Sequence, residues 1–509
     1  MTLTKKIASN TSIQFSSRLL LVVISLIIIT FLTRYLGLEK YGNYTTAIAF
    51  VALFNVFADF GVNQIVVLEI ARHPKDRHKI ISAGLVLKII IGIIVFALPP
   101  LIAFFLPYPK DVKIGILICS LATYPLSVAS LFVTIFQINL QIYRNVIASV
   151  SARIVVLILT LLFIKTGKGL VYFFLAIMIG NIFEFTLNLI LALPLEKISF
   201  IFDKKLYLKI LTKSWPLAVV IGLGLVAFRV DTIILSLLKN QEAVGIYGVP
   251  YKIVDILLII PGIFIGFVFP LLSKHFVNNR PRLLRTTQKT FDAMLVVGSY
   301  VLIVILLLAP YIINLIAGSA YTASVTPFKY LSLAVFLIFI NITMPYLLIA
   351  AGKFSQLIWR NIFLLVVNII LNLILIPYLS YNGAAIATVI AEFLSVIVTF
   401  QLTWQLLKIF PSLKRLPSIA VASIFSFLIG ISFLKTNVPI NWNNFADFSY
   451  LNRIIYFIFI FIIVSFFYFL FLVIFRGIDR QIVAQLIPIR SMVILKRAKI
   501  KIENDLKNS

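Results

Sequence analysis

Charged residues lie inside segments that are otherwise apolar, and ten of them are the residues of this sequence that we consider most able to do chemistry. A charge at the centre of a membrane helix costs at least about 2.5 kcal/mol, so each of them needs a partner or a water-filled cavity. The first half of the chain carries Arg18, Asp59, Lys88, Arg153 and Glu184. The second half carries Arg229, Asp231, Lys252, Asp255 and Glu392. Basic and acidic groups match in number, which argues against a simple cation-binding cage.

The basic members of this set indicate an anion as ligand. Arginine suits a phosphate because its planar guanidinium can donate two hydrogen bonds at once. At about 1.5 Å per helical residue, Arg18, Lys88 and Arg153 fall toward the side from which the first apolar segment starts. Arg229 and Lys252 fall toward the opposite side. We therefore predict a water-filled central cavity whose cations hold an anionic group at two levels. The long stem of Lys88 can instead carry its charge to the membrane interface.

Ion pairing is the alternative for several of these residues. Arg18 with Asp59, and Lys252 with Asp231 or Asp255, would then be structural pairs. Lys252 and Asp255 are three residues apart and so share one face of a helix. Both interpretations stay open on the sequence.

Membrane-spanning helices are the elements that must position these side chains. Hydrophobic residues make up 61% of the chain and charged residues 12%, a balance that excludes a soluble globular domain. A hydrocarbon core of about 30 Å needs about 20 apolar residues in a helix. Fourteen such runs are predicted, at 13–36, 41–67, 80–106, 112–139, 146–164, 170–194, 214–238, 243–272, 290–316, 325–351, 356–377, 383–407, 416–434 and 453–475. We therefore predict an all-α integral membrane protein.

Lysine and arginine collect in alternate short loops, and this pattern predicts the orientation. The rich loops lie at 72–79, 195–213, 274–285 and 408–415. By the positive-inside rule these loops are cytoplasmic, so both termini are predicted to be cytoplasmic in a plasma (inner) membrane protein. The net charge of +28 is thus a topology signal, and no nucleic acid partner is expected.

The spans group into two halves. We predict an N-lobe at 1–194, a basic amphipathic linker on the inner leaflet at 195–213, a C-lobe at 214–408, two further spans at 409–476 and a basic cytoplasmic tail at 477–509. A weak repeat supports two equal lobes, since Gly42-Asn43-Tyr44 and Gly245-Ile246-Tyr247 are 203 residues apart. An even number of intervening spans places the symmetry axis along the membrane normal.

Motifs of enzymes and metal sites are missing from the sequence. There is no phosphate-binding glycine loop, no His-Glu-Xaa-Xaa-His helix and no nucleophile elbow. The lone cysteine, Cys119, excludes a disulfide framework within one chain. We predict that the protein is not an enzyme and needs neither a cofactor nor a metal.

Three groups of short motifs resemble bacterial polysaccharide flippases, over nearly the whole chain. The first group is Thr33-Arg34-Tyr35-Leu36-Gly37, Tyr41-Gly42-Asn43-Tyr44 and Ala58-Asp59-Phe60-Gly61. The second is Asp231-Thr232-Ile233-Ile234-Leu235, Gly245-Ile246-Tyr247 and Phe269-Pro270-Leu271-Leu272-Ser273. The third runs from Asn368 to Glu392 and includes Asn372, Pro377 and Gly383-Ala384-Ala385-Ile386-Ala387.

This resemblance implies the MOP (multidrug, oligosaccharidyl-lipid and polysaccharide) fold, with two six-helix lobes in a V and two additional C-terminal spans. It implies alternating access that moves an oligosaccharide on an isoprenoid pyrophosphate from the inner to the outer leaflet. The pyrophosphate would be the anion that the cavity cations hold. A coupling ion, H⁺ or Na⁺, would bind at Asp59, Glu184, Asp255 or Glu392. Membrane lipids and polysaccharide assembly proteins would be further partners.

Three other functions remain open on the sequence. A drug or metabolite cation antiporter of the same fold would favour acidic cavity residues with few cations. A lipid II flippase, which moves a peptidoglycan precursor, fits a basic cavity equally well. A membrane polysaccharide polymerase would need a sizeable external loop, and the largest such interval here, 435–452, is short.

Overall fold

The computed structural model describes residues 3–196, 199, 203–436, 450–475 and 477. The predicted tail beyond 477, part of the predicted linker and the interval 437–449 lie outside these described residues. The described chain is helical and contains no strand. Its helices are α1 (Leu3–Asp59), α2 (Val62–Arg72), α3 (Arg77–Phe105), α4 (Lys110–Ile138), α5 (Tyr143–Lys165), α6 (Leu170–Ala192), α7 (Lys204–Leu238), α8 (Gln241–Leu257), α9 (Ile259–Asn278), α10 (Arg280–Ala317), α11 (Val325–Asn341), α12 (Thr343–Ala350), α13 (Phe354–Leu407), α14 (Leu416–Thr436) and α15 (Tyr450–Ile474).

The predicted number of spans is consistent with these helices. Twelve helical segments of the described chain are long and apolar enough to cross a membrane. Two of them, Ser16–Arg72 and Phe354–Leu407, run for 57 and 54 residues, which is enough for two crossings each. Both contain a sharp break, at Gly37 with φ 70° and at Ser380 with φ 50°. Counting each as two spans gives fourteen, and the predicted all-α membrane fold is confirmed.

Prolines divide two further spans at the places where bends are expected. Proline has no backbone N–H and therefore leaves the carbonyl four residues before it without a helical donor. Those carbonyls belong to Leu257 before Pro261 and to Asn341 before Pro345. The helices α8 and α11 end at these two residues, and α9 and α12 continue the spans. The sequence thus sets a joint in each of the two spans.

The described part of the predicted amphipathic linker packs against protein, whereas its sequence predicts a segment that lies on the inner leaflet. Residues from Lys204 onward are the first turns of α7, capped by the Asp203 carboxylate, which accepts a hydrogen bond from the Leu206 N–H at 3.0 Å. Ile210 is fully buried in a core formed with α2 and α3. Lys79 lies 2.8 Å from Asp203 and holds the pKa of that carboxyl below its usual range. This segment docks on protein, because its apolar side chain and its charges both find partners there.

Loops that are rich in lysine and arginine meet on one face of the molecule. Arg77 forms a 2.7 Å ion pair with Glu196, and Arg280 donates to the Leu407 carbonyl at 3.0 Å. We call this the basic face, formed by the described residues 72–79, 195–196, 203–213, 274–285 and 408–415. The other end of the helices is the opposite face.

The N-lobe (α1 to α6) and the C-lobe (α7 to α13) meet toward the opposite face through a reciprocal glycine contact. A Cβ on Gly42 would lie 1.7 Å from the Gln241 carbonyl oxygen, and one on Gly245 would lie 2.1 Å from the Leu38 carbonyl oxygen. The pairs 42 and 245, and 38 and 241, both differ by 203 residues, so the two surfaces are equivalent copies. The predicted pseudo-symmetry is confirmed at this contact, where only glycine lets the backbones approach.

The last two helices pack on the C-lobe. Tyr468 of α15 shares a hydrogen bond of 2.7 Å with Ser299 of α10, and Tyr300 shares one of 2.6 Å with Ser465. A Cβ on Gly430 of α14 would lie 2.5 Å from the side chain of Leu307. The helices α14 and α15 therefore extend one flank of the C-lobe.

We expect Gly245→Ala to lower the melting temperature of the detergent-solubilised protein. The added methyl meets backbone, which cannot move aside easily, and overpacking of this kind costs about 1–3 kcal/mol. Gly262→Ala is the matched control, since nothing lies within 4 Å of its added Cβ and alanine favours a helix by about 1 kcal/mol. Equal melting temperatures for the two variants would contradict the glycine contact.

Candidate functional site

An ion pair inside the N-lobe accounts for two of the predicted site residues. The Lys88 ammonium donates to Asp59 Oδ1 and, at 2.9 Å, to Ser130 Oγ. Asn63 Nδ2 donates to the same two atoms at 2.8 and 3.0 Å. The Lys88 side chain is 0% exposed, so its charge cannot reach water and depends on the carboxylate. Asp59 therefore pairs with Lys88, and not with Arg18 as one interpretation expected.

A cavity of about 300 Å³ lies between the lobes, and we call it the central cavity. Helices α1, α4, α5 and α6 wall it on the N-lobe side, and α7 and α8 wall it on the C-lobe side. Its described charged lining consists of Arg153, Arg229, Lys252 and one carboxylate, Asp255. Three cations against one anion give the cavity a positive potential, which favours a negatively charged ligand.

Arg153 and Lys252 are the cations of this cavity that make no direct contact with a protein carboxylate, although Glu184 and Asp255 are close enough to interact with them electrostatically. Ala152 and Val156 of α5 pack closely against Gly180 of α6. Arg153 follows Ala152 on α5, and its side chain faces the central cavity. Neither cation forms a hydrogen bond or an ion pair within the part of the chain that the structure describes. Both are therefore available to an anion that enters the cavity.

Arg229 has a protein partner and borders two cavities. Its guanidinium donates to Asp255 Oδ2 at 2.9 Å and lies over the rings of Phe228 and Tyr251, at 5.6 and 5.3 Å from their centroids. Asp255 thus pairs across helices with α7, and not with Lys252 on its own helix. Both members of the pair line the central cavity and a second cavity behind it.

That second cavity, of about 600 Å³, lies within the C-lobe, and we call it the C-lobe cavity. Its described charges are Arg229, Arg360, Asp231, Asp255 and Glu392, so carboxylates outnumber cations. Arg360 donates to Thr399 and Asn361 at 2.7 Å each, and also to Ser395. Glu392 is close enough to Arg360 to interact electrostatically. The potential of this cavity therefore suits a small cation.

Sequence reasoning missed Arg360. The signal was available, because Arg360 stands inside the predicted span 356–377 and so meets the criterion that selected the other ten charges.

Hydroxyl groups, and no cation, hold the Asp231 carboxylate. It accepts from the Tyr247 hydroxyl at 2.5 Å, from the Thr232 N–H at 2.6 Å and from the Thr388 hydroxyl at 3.3 Å. Its side chain is buried. The expected pair of Asp231 with Lys252 is therefore not formed, which leaves the lysine to the central cavity.

An apolar groove of about 850 Å³ lies on the other side of the wall made by α1 and α8. Neighbouring residues of the same helices face the two spaces: Lys252 faces the central cavity, whereas Ile253 and Ile256 face the groove. Helices α10 and α15 form its far side, through residues such as Val304 and Phe457. A polar site and a long apolar site thus lie back to back.

The predicted site residues fall into separate places. The expected cations do not form two separate levels, because Arg153 from one level and Arg229 and Lys252 from the other line the same cavity. The distribution is Arg153, Arg229, Lys252 and Asp255 in the central cavity, Glu392 in the C-lobe cavity, Lys88 with Asp59 inside the N-lobe, and Arg18 and Glu184 outside the described walls of both cavities.

We expect Asp59→Asn to destabilise the protein strongly, because it leaves the buried Lys88 charge without a partner. The cost of such an orphaned charge is about 3–5 kcal/mol. Adding Lys88→Met to Asp59→Asn removes that charge and is expected to recover most of the loss. Thermal unfolding of the purified variants measures both effects. A single variant as stable as the wild type would show that the pair is not structural.

Comparisons with known proteins agree with this architecture. A family model described as polysaccharide biosynthesis protein matches residues 3–276, which is more than half of the chain. The fold is similar to that of the lipid II flippase MurJ in an inward closed conformation, with a TM-score of 0.71, 18% identity and coverage of 90% of this chain and 98% of that one.

Two MATE transporters also share the fold. One is an inward-facing multidrug resistance transporter of the MOP superfamily, with a TM-score of 0.61, 14% identity and coverage of 78% and 97%. The other is a point mutant of VcmN from Vibrio cholerae, with a TM-score of 0.54, 13% identity and coverage of 79% and 97%. No curated protein matches the chain by sequence. This multi-pass membrane protein therefore belongs to the polysaccharide biosynthesis protein family and has the MOP superfamily fold.

Proposed function

We propose that this protein is a flippase that moves isoprenoid-pyrophosphate-linked oligosaccharides from the inner to the outer leaflet of the plasma membrane. One observation carries the proposal: Arg153 and Lys252 face a cavity between the two lobes and form no ion pair or hydrogen bond within the described chain. Cations in this position are expensive unless a ligand or water compensates them. A pyrophosphate supplies several negatively charged oxygens that can accept hydrogen bonds from both side chains.

The groove behind the cavity supplies a place for the lipid chain. An isoprenoid is apolar and gains free energy wherever it is removed from polar surroundings. With the head group beside Lys252 and the chain beside Ile253 and Ile256, the substrate would pass through the wall of α1 and α8. The polar and apolar halves of one lipid-linked molecule thus match two adjoining spaces.

The orientation follows from charge. The basic face is assigned to the cytoplasm, together with both termini, by the positive-inside rule. The head group would then enter from the basic face and leave after the glycine contact of Gly42 and Gly245 has parted. Alternating access of the two lobes requires these two events to occur in turn.

The C-lobe cavity is the place proposed for a coupling ion. Glu392 and Asp255 face it, and its excess of carboxylates attracts H⁺ or Na⁺. Asp59 is committed to Lys88, and Glu184 lies outside the described walls of either cavity. Of the four carboxylates considered from sequence, Glu392 and Asp255 therefore carry the coupling proposal.

The basic cavity weighs against an antiporter of cationic drugs, which would meet like charge at Arg153 and Lys252. A lipid II flippase uses the same pyrophosphate chemistry, so that function differs only in the group that the pyrophosphate carries. Transport of purified lipid II beside a lipid-linked oligosaccharide, in the same vesicles, separates these two substrates.

We expect Arg153→Gln and Lys252→Gln each to slow head-group translocation by about tenfold or more. A hydrogen bond to a charged group contributes about 1.5–3 kcal/mol, and 1.4 kcal/mol is a factor of ten. A leaflet-resolved assay in proteoliposomes with lipid-linked oligosaccharide gives the rate. Arg18→Gln is the matched control, since Arg18 is exposed and lies outside the described cavity walls. Wild-type rates in both cavity variants would reject the central cavity as the head-group site.

We expect Val304→Trp to reduce transport, because the indole fills part of the apolar groove that would receive the isoprenoid. The same assay is used, with protein levels matched by purification. Ile94→Trp adds the same bulk on an exposed apolar position of α3 and should leave the rate unchanged. Equal rates for the two tryptophan variants would remove the groove from the proposal.

A further inference from the structure

A carboxylate on the basic face links the two lobes through two lysines. Glu69 of α2 lies 2.6 Å from Lys209 and 2.6 Å from Lys213, which are one turn apart on α7. The Glu69 side chain is 1% exposed, so its charge depends on these two ammonium groups. Three charges on two helices therefore hold the N-lobe to the first helix of the C-lobe.

The backbone brings these two helices close together at this point. Gly61 has φ 67° and starts α2 at an angle to α1, and a Cβ on it would lie 3.1 Å from the Ser214 carbonyl oxygen. Ile210, between the two lysines, is fully buried against α2. The contact thus joins α2 of the N-lobe to α7 at the basic face.

An anion on the basic face can reach the two lysines from the solvent side, while the buried Glu69 carboxylate contacts them from the protein side. The side chains of Lys209 and Lys213 are 42% and 36% exposed, in contrast to the buried carboxylate. A cavity of about 230 Å³ adjoins the contact, and Lys79 and Lys205 line it together with the carboxylates Asp76 and Asp203. Two neighbouring ammonium groups that both contact one carboxylate can bind the oxygens of a phosphate group in the same way.

The contact at the opposite end of the lobes has a different chemistry. Gly42 and Gly245 meet there through backbone atoms, and Arg34 of α1 donates to the Leu315 carbonyl of α10 at 2.8 Å. These contacts contain no carboxylate, whereas at Glu69 an anionic ligand competes with a carboxylate for the same cations. The contact on the basic face can therefore respond directly to an anionic substrate.

We propose that Lys209 and Lys213 form a receiving site for the pyrophosphate group of a membrane lipid, which takes the place of Glu69 and thereby separates α2 from α7. This inference rests on the proposed function and adds to it the step that opens the basic face. Glu69 acts as an internal stand-in for the substrate anion. The lobes stay closed until a pyrophosphate arrives, and the ligand passes from these lysines to the unpaired cations of the central cavity.

The test measures the distance between the lobes on the basic face. Spin labels on cysteines at Lys75 and Val277, both exposed, report this distance in a Cys119→Ser background. Without ligand, Glu69→Gln is expected to raise the ratio of open to closed molecules by about fivefold or more, the lower end of typical coupling between sites. Vesicles that contain an isoprenyl pyrophosphate are expected to produce the same shift in the wild type, and vesicles with the neutral isoprenol none.

A charge-reversed variant makes the test specific. Glu69→Lys combined with Lys209→Glu and Lys213→Glu keeps an ion pair between the helices but replaces both receiving cations. It is expected to stay closed without ligand and to remain closed with isoprenyl pyrophosphate. The matched control reverses another ion pair of the basic face, Arg77→Glu with Glu196→Arg, and should respond to the lipid like the wild type.

The outcomes separate this inference from the flippase proposal. Opening of the wild type by the pyrophosphate lipid, absent in the reversed variant, supports the receiving site even if transport assays fail. Opening by inorganic pyrophosphate alone also supports it and assigns recognition to the phosphate rather than to the lipid chain. Unchanged distances in Glu69→Gln, or a lipid response that persists in the reversed variant, would overturn it.

Discussion

The cost of burying a charge in a membrane governs this structure. A buried ammonium or guanidinium needs an opposite charge, several acceptors or water, because the low-dielectric interior offers nothing else. Lys88 has its carboxylate, and Arg360 has three polar acceptors. Arg153 and Lys252 form no ion pair or hydrogen bond within the described chain, and they lie where two lobes enclose a space. These two cations, and not the fold alone, are the reason for proposing an anionic substrate there.

The two ends of this space are closed by different forces. Backbone packing at Gly42 and Gly245 depends on shape, so it is insensitive to ligand charge and to salt. The contact of Glu69 with Lys209 and Lys213 depends on charge, so competing anions weaken it. In the proposed mechanism an anionic substrate that arrives from the basic face would therefore act first on the charged contact.

Hydrophobic length made the spans predictable, whereas the ion pairs were not. Each apolar run is long enough to require a helix, so fourteen spans follow from composition and chain length alone. Pairing depends on how each helix is rotated and which helix is its neighbour, and one sequence does not encode either visibly. Asp255 shares a helix face with Lys252 three residues away, yet its partner is Arg229 on another helix. Glu69 was overlooked because it stands just beyond a predicted span, although it is almost fully buried.

The Arg229–Asp255 pair connects the proposed substrate site to the proposed ion site. Both side chains line the central cavity and the C-lobe cavity, so one hydrogen bond of 2.9 Å separates the two spaces. An anion beside Arg229 competes with Asp255 for the guanidinium, and a carboxylate that loses its partner attracts a cation more strongly. If both proposed sites are correct, head group and coupling ion would influence each other through this shared contact, without a longer chain of intermediates.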